Sequence, residues 1–230
     1  EIKHKNIVKF YGQAKRGQVV YLMLAPCDTS PEHQVRTNKT SEEQLCRYGL
    51  QVLEGLLIMH QNGFIHRDLK ADNILIKKGV CKIADFGMGT NQAFFSTQQV
   101  GAIGIRAPEF EDQIEGKRHS AVDVWAFGVM MHFLTFKEIP FSAGDFAGFR
   151  QRVKNDPYKI PDDPQTSNSF KEMLKACFEK RHDKRITTLN LKKMHCFERV
   201  NDNGSEDLRT KLAQKEKRIR ELEQQVKKLS

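Results

Sequence analysis

His66-Arg67-Asp68-Leu69-Lys70-Ala71-Asp72-Asn73 is the stretch on which the reading of this chain turns. Taken singly, an Asp or a Lys in such a string is a solvated surface charge. Here Asp68 and Lys70 stand close together on one loop, and Asn73 closes it. Asp85-Phe86-Gly87 follows after a short, mostly apolar stretch, and Ala107-Pro108-Glu109 follows in turn. Three polar clusters in that order and spacing are far more specific than any one tripeptide. Before them, Leu45, Tyr48, Val52, Leu56 and Met59 recur at steps of three and four. That predicts a helix, opened by a capping box at Ser41-x-x-Gln44 or Thr40-x-x-Glu43 and ended by Gly63. After them, Ser120 to Phe136 is apolar almost all round and predicts a buried central helix.

Further out the pattern changes. Ile7 to Tyr11 and Val19 to Leu24 are β-branched and aromatic runs separated by Gly12 to Gly17, and they predict an antiparallel strand pair. Ala25 to Lys39 reads as a turn-rich connection. Ile74-Leu75-Ile76 and Cys81 to Ala84 flank Gly79 as a small hairpin, and another helix is expected over Ser169 to Lys180. Asn201 to Ser205 is a polar linker.

The chain has 230 residues, 39% hydrophobic and 29% charged, with a formal net charge of +9. That suffices for one sizeable domain with a real core, or for one domain plus an appendage, and excludes collagenous and wholly disordered classes. Its longest apolar stretch runs only from Val122 to Leu134 and contains Asp123 and His132. A bilayer span needs about 20 apolar residues, so no membrane span is expected. Five widely spaced cysteines without a C-x-x-C pair predict reduced, mostly buried thiols in an intracellular, cytoplasmic protein.

The three clusters resemble the motifs of the protein kinase family, and the likeness extends from Asn6-Ile7-Val8 to about Arg185. The resemblance implies an α+β kinase-like fold, mostly the helical C-lobe with the last strands of the N-lobe. It places an N-lobe remnant at 1–26 and the C-lobe at 27–199, and the residue pattern beyond them predicts a linker at 200–205 and a coiled coil at 206–230. It implies transfer of the γ-phosphate of ATP to Ser/Thr hydroxyls of protein substrates, with Mg2+. Phosphoryl transfer asks the protein for positioning and charge stabilisation. By family match, Asp68 orients the hydroxyl and takes up its proton, and Lys70 reaches the γ-phosphate. Asn73 and Asp85 supply oxygen ligands to the metal. Leu24 guards the back of the adenine pocket, and the Ala25 carbonyl and Cys27 N–H meet the adenine edge. His66 and Phe86 pack beneath the site, Glu109 pairs with Arg185, and Asp123 holds the catalytic-loop backbone. Arg67 pairs with a phosphorylated activation segment, with Thr97 and then Ser96 as acceptors.

The chain departs from the family in two places. The Gly-rich loop, the strand Lys and the helix Glu that hold the nucleotide phosphates have no counterpart here, so an N-terminally truncated domain is expected. Ser/Thr kinases usually carry Thr where Ala102 sits. A pseudokinase-like scaffold that binds partners without catalysis is therefore the alternative. Lys70 after Asp68 favours Ser/Thr over Tyr acceptors.

Leu208, Leu212, Lys215, Ile219, Leu222, Val226 and Leu229 are spaced 4, 3, 4, 3, 4, 3. β-branched residues at a with Leu at d favour a parallel two-stranded coiled coil, so a homodimer through 206–230 is expected. Such an arrangement is similar to mixed-lineage and dual-leucine-zipper kinases. No nucleic-acid motif accompanies the basic charge, and no nucleic-acid partner is expected.

Overall fold

The computed structural model describes residues 2–38, 40–87, 90–91, 103–110, 120–198 and 200. It begins with a two-stranded antiparallel sheet, β1 (Phe10–Arg16) and β2 (Val19–Leu24), in which Phe10 pairs Leu24 and Arg16 pairs Val19 across a tight turn at Gly17. The sequence placed the first strand earlier. Ile7 and Val8 are pinned elsewhere: Ile7 bridges Ile83, and Val8 N–H donates to Ile83 O at 2.9 Å. The strand instead runs through Gly12, where φ is +154° and the ladder shifts register at a bulge. Glycine supplies that backbone freedom.

The expected loop from Ala25 to Lys39 contains a helix, α1 (Pro31–Thr37). Ser30 caps it by accepting from His33 N–H, and Pro31 occupies the first turn, where its missing N–H costs nothing. Then comes α2 (Glu42–Gln61), capped by Ser41 and ended at Gly63 with φ 70°. Its Leu53, Leu56 and Met59 are fully buried, each contributing about 1.5–3 kcal/mol of hydrophobic stabilisation. A short strand, β3 (Phe64–Ile65), leads to a 3-10 turn at Ala71–Asn73. Next is the hairpin β4 (Ile74–Lys77) and β5 (Val80–Ile83), turning at Lys78 and Gly79 with positive φ. β6 (Thr90–Asn91) pairs back onto β3.

Two further 3-10 turns, Ile103–Ile105 and Pro108–Phe110, precede α3 (Ala121–Phe136), the buried central helix. Gly128 lets α3 lie against Cys177: a Cβ there would fall 2.5 Å from the Cys177 side chain. The structure adds α4 (Phe146–Asn155) and α6 (Thr188–Lys192), while α5 (Asn168–Cys177) stops short of the expected end at Lys180. The main core joins α2, β4, β5, α3 and α5. A satellite cluster gathers Trp125, Phe149 and Phe178. All five cysteines are free, and Cys27 alone is not buried. Among the described residues no helix is long and apolar enough to cross a membrane. Of the expected linker at 200–205 only Val200 is described, and the expected coiled coil at 206–230 lies outside the described residues.

Candidate active site

The site is built where β3 ends and the β4–β5 hairpin begins. Ile74 pairs with Ile83, and Ala84 N–H donates to Asn73 O at 2.8 Å. This ladder sets Asn73 beside the start of Asp85-Phe86-Gly87, though the whole hairpin separates the two along the chain. Asn73 Nδ2 donates to Asp68 O at 2.8 Å and to Asp68 Oδ2 at 3.2 Å. Lys70 Nζ lies 3.2 Å from the same Asp68 Oδ2. Asp68, Lys70 and Asn73 therefore converge on one carboxylate. Asp68 is buried and Lys70 half-buried, so the pair has one side toward solvent.

Asp85 is exposed, with φ 59°, and its Oδ1 accepts from Gly87 N–H at 3.2 Å. Arg67, at φ 71°, is a second left-handed residue in the site. Such conformations cost a non-glycine residue about 1–3 kcal/mol and persist only where surrounding contacts over-determine them. Asp123, from α3, supplies those contacts. Its Oδ2 accepts from His66 N–H at 2.9 Å and its Oδ1 from Arg67 N–H at 2.8 Å. Burial alone would raise the Asp123 pKa. The His60 hydrogen bond, the His60 and His66 rings and the Arg67 N–H outweigh burial and hold the carboxyl below its ordinary range.

His66 Nε2 donates to Ala84 O at 3.0 Å, and its Nδ1 accepts from Asp68 N–H at 3.3 Å. Both ring nitrogens are committed to backbone, and the ring packs on Phe86 with centroids 5.4 Å apart. His66 thus ties the 66–73 loop to the segment before Asp85. Arg185 donates to both oxygens of Glu109, at 2.7 and 3.0 Å, and to Ala121 O at 2.8 Å. That fork joins the 3-10 turn at Pro108–Phe110 to the start of α3.

At the edge of the sheet, Ala25 N–H donates to Lys9 O at 2.8 Å and Cys27 Sγ lies 3.7 Å from Ala25 O. Asp28 N–H donates to Ile76 O at 2.8 Å, which anchors this connection to β4. Ala25 is buried, Cys27 half-buried and Leu24 exposed. Partial burial pushes the Cys27 thiol up. Ser96, Thr97 and Ala102 lie outside the described residues.

Two participants were missed from the sequence. His60 Nε2 lies 2.8 Å from Asp123 Oδ2, and its Nδ1 lies 3.0 Å from Thr188 Oγ1. The available signal was a histidine one helical turn after Leu56, on the apolar side of α2. Glu32 was the other. A hydrogen bond with Asp72, then burial, raises its pKa against the Arg36 pairing.

The donors present suit a hard divalent cation. Asp85 offers a carboxylate, and Asn73, with Nδ2 committed to Asp68, offers its amide oxygen. Mg2+ is typically held by one or two carboxylates plus substrate phosphates and waters. Among the described residues no cluster of three or more His, Cys, Asp and Glu side chains forms a closed metal cage.

Fold and site together define a mixed α+β protein with a carboxylate–lysine–amide loop set against a second carboxylate. A family model for the protein kinase domain matches residues 1–197. The chain is 30% identical over 177 residues to the probable serine/threonine-protein kinase PLK of Dictyostelium discoideum, covering 75% of this chain and 18% of that protein. It is 32% identical over 178 residues to the probable serine/threonine-protein kinase CCRP1 of Zea mays, covering 75% and 28%. It is also 32% identical over 214 residues to the serine/threonine-protein kinase BCK1/SLK1/SSP31 of Saccharomyces cerevisiae, covering 88% and 14%. The chain belongs to the protein kinase family. It spans less than a third of the length of these relatives.

Proposed function

We propose that this chain carries the catalytic loop of an ATP-dependent protein kinase that phosphorylates Ser/Thr hydroxyls of protein substrates. The observation that carries the reading is the convergence of Lys70 and Asn73 on Asp68, within 3.2 Å, with Asn73 held by the hairpin beside Asp85. Asp68 accepts the hydroxyl proton as the acceptor oxygen attacks. Lys70 stands as a compact positive charge beside that carboxylate, where charge on the transferred phosphoryl group develops. Asn73 and Asp85 would hold Mg2+, which when bound neutralises phosphate charge. Similarity to Ser/Thr kinases supports the acceptor class. Leu24 is assigned to the back of the adenine pocket, Ala25 and Cys27 to the adenine edge, and Arg67 to a phosphorylated Thr97 or Ser96.

In this reading residues 1–26 belong to a small nucleotide-binding lobe, 27–199 to the large lobe, and 206–230 to a dimerising coiled coil after a 200–205 linker, as in mixed-lineage kinases. A Leu222→Asp variant should then sediment as monomer where the wild-type chain dimerises. The central test is transfer of γ-labelled phosphate from Mg-ATP to casein and to itself by the full-length protein. Asp68→Asn should lower transfer by orders of magnitude, and unchanged turnover would remove Asp68 from its role. A second reading, a non-catalytic scaffold, draws on the exposed apolar side chains of β1 and β2. Wild-type protein that transfers no phosphate would favour it.

A further inference from the structure

Charge is distributed unevenly where the segment before β1 meets β5, α2 and α6. Lys5 Nζ lies 2.9 Å from Glu54 Oε2, and Lys192 Nζ lies 3.3 Å from Glu54 Oε1. One carboxylate is shared by two ammonium groups, and each of its oxygens is used. Lys82 Nζ donates to Lys5 O at 2.6 Å, so a third ammonium reaches the same spot with a backbone carbonyl as its acceptor. The side chains differ in exposure: Lys5 is 66% exposed, Lys192 30% and Glu54 20%. The negative charge is therefore the most covered of the three, and the Lys5 ammonium faces solvent. The neighbouring groups respond accordingly. Burial and the charges of Lys5, Lys192 and Lys82 lower the pKa of His4 despite the opposing charge of Glu54. Burial would raise Glu54, but Lys5 and Lys192 hold it below its ordinary range. Lys77, at the end of β4, extends the positive field alongside Lys82 as far as Cys27, with Asp28 opposing it.

We propose that this basic stripe, centred on Lys5, Lys82 and Lys192, is a docking surface for an acidic segment of a partner protein. Charge complementarity selects the occupant, because complementary potentials steer association and reject like-charged partners. A second copy of this chain, at +9 net, offers this stripe no net complementary charge, so a dimer formed elsewhere on the chain leaves it open. Residues 206–230 hold 8 Lys/Arg against 5 Asp/Glu, so the chain's own end offers none either. The residues that make up the stripe include no aromatic side chain on which a base could stack, which disfavours single-stranded nucleic acid. None of its lysines belongs to the site around Asp68, so the inference stands apart from the kinase reading.

The test is fluorescence anisotropy of a short fluorescein-labelled Glu/Asp-rich peptide titrated with the full chain. Saturable binding is expected at about 0.1 M salt. It should be lost toward about 1 M, where the Debye length shortens from about 10 Å to about 3 Å. A same-length Gln/Asn peptide should not bind. Joint Lys5→Glu, Lys82→Glu and Lys192→Glu substitution should weaken binding at least tenfold, about 1.4 kcal/mol. Should that triple variant unfold through repulsion at Glu54, Lys82→Gln with Lys192→Gln, matched in thermal midpoint to wild type, should show an intermediate loss. Absence of saturable binding, or equal affinity in the folded variant, overturns the proposal. Binding to phosphatidylserine vesicles in preference to the peptide also overturns it, and assigns the stripe to a membrane surface.

Discussion

The frame around Asp68 and the β1–β2 hairpin invert each other. In the frame, polar side chains are inside: His66 and Asp123 are fully buried, and Asn73, Glu109 and Arg185 nearly so. In the hairpin, apolar side chains are outside: Phe10, Tyr11 and every residue from Val19 to Leu24 are between 40% and 61% exposed. Buried polar groups are tolerable only when paired, and here Asp123, Asn73 and Glu109 each have partners at hydrogen-bond distance. That pairing makes displacement expensive and, through Asp123, holds Arg67 in its left-handed conformation. The hairpin is held by its own ladder, and a two-stranded ladder alone is marginal in water. An unbroken apolar run such as β2 is what a strand covered on both faces carries. One region is finished within this chain, and the other presents surface suited to cover.

The largest expected effect lies in the frame. Asp68→Asn in the full-length protein should lower kcat for phosphate transfer about 10²–10⁴-fold, the usual contribution of a positioned base, with folding unchanged by circular dichroism. Glu109 and Arg185 come next. Removing either partner of their buried pair should destabilise the fold by about 3–5 kcal/mol in urea titration. Removing both with apolar substitutions should cost less than the sum, and additive losses would show that the pair is not coupled.

A third effect tests the buried helix behind the frame. His132 of α3 is buried, its Nδ1 lies 2.8 Å from the Tyr158 hydroxyl, and burial holds its pKa down to about 4 against an ordinary 6.5. Glu138 faces its Nε2 from 3.7 Å. The unfolded imidazole binds a proton below about 6.5 while the folded one stays neutral to about 4. Stability should therefore be full above about pH 6.5 and fall as pH drops toward about 4, by at most about 3 kcal/mol. His132→Phe should flatten that portion of the pH–stability curve, and an unchanged slope would assign the acid sensitivity elsewhere.

The smallest effect is expected in the hairpin. Leu22 is 61% exposed, so Leu22→Asp should change the unfolding free energy of this chain by no more than about 0.5 kcal/mol. Phe127→Ala in the fully buried core should cost about 3–5 kcal/mol. A large loss from Leu22→Asp would erase the contrast, because it would mean that the hairpin is packed in solution.

Much of this was legible in the sequence because it is local. Ser41 as a cap, the three-and-four spacing along α2, Gly63 as its stop and the all-apolar α3 each follow from short-range rules, and the structure places them there. The first strand shifted for a non-local reason: Ile7 and Val8 are held by Ile83, at the far end of the β4–β5 hairpin, which removes them from the β1 ladder. The helix at Pro31–Thr37 was read as turn because Ser30 and Pro31 signal a turn and a helix start equally well. His60 was missed because its partners, Asp123 and Thr188, are 63 and 128 residues away.

By itself the sequence determined the chemistry available: which side chains could hold a cation, place a positive charge and take up a proton, and in what order along the chain. Spacing and residue type suffice for that, since motif segments and amphipathic helices are set by neighbours within a few residues. Only the tertiary structure decided which of those groups meet. It brought Asn73 to Ala84, the residue before Asp85, through the β4–β5 ladder and put Asp123 under Arg67. It left the side chains of β2 facing water and gathered Lys5, Lys82 and Lys192 around Glu54. These outcomes depend on contacts between residues far apart in the chain, and no local pattern encodes their distances.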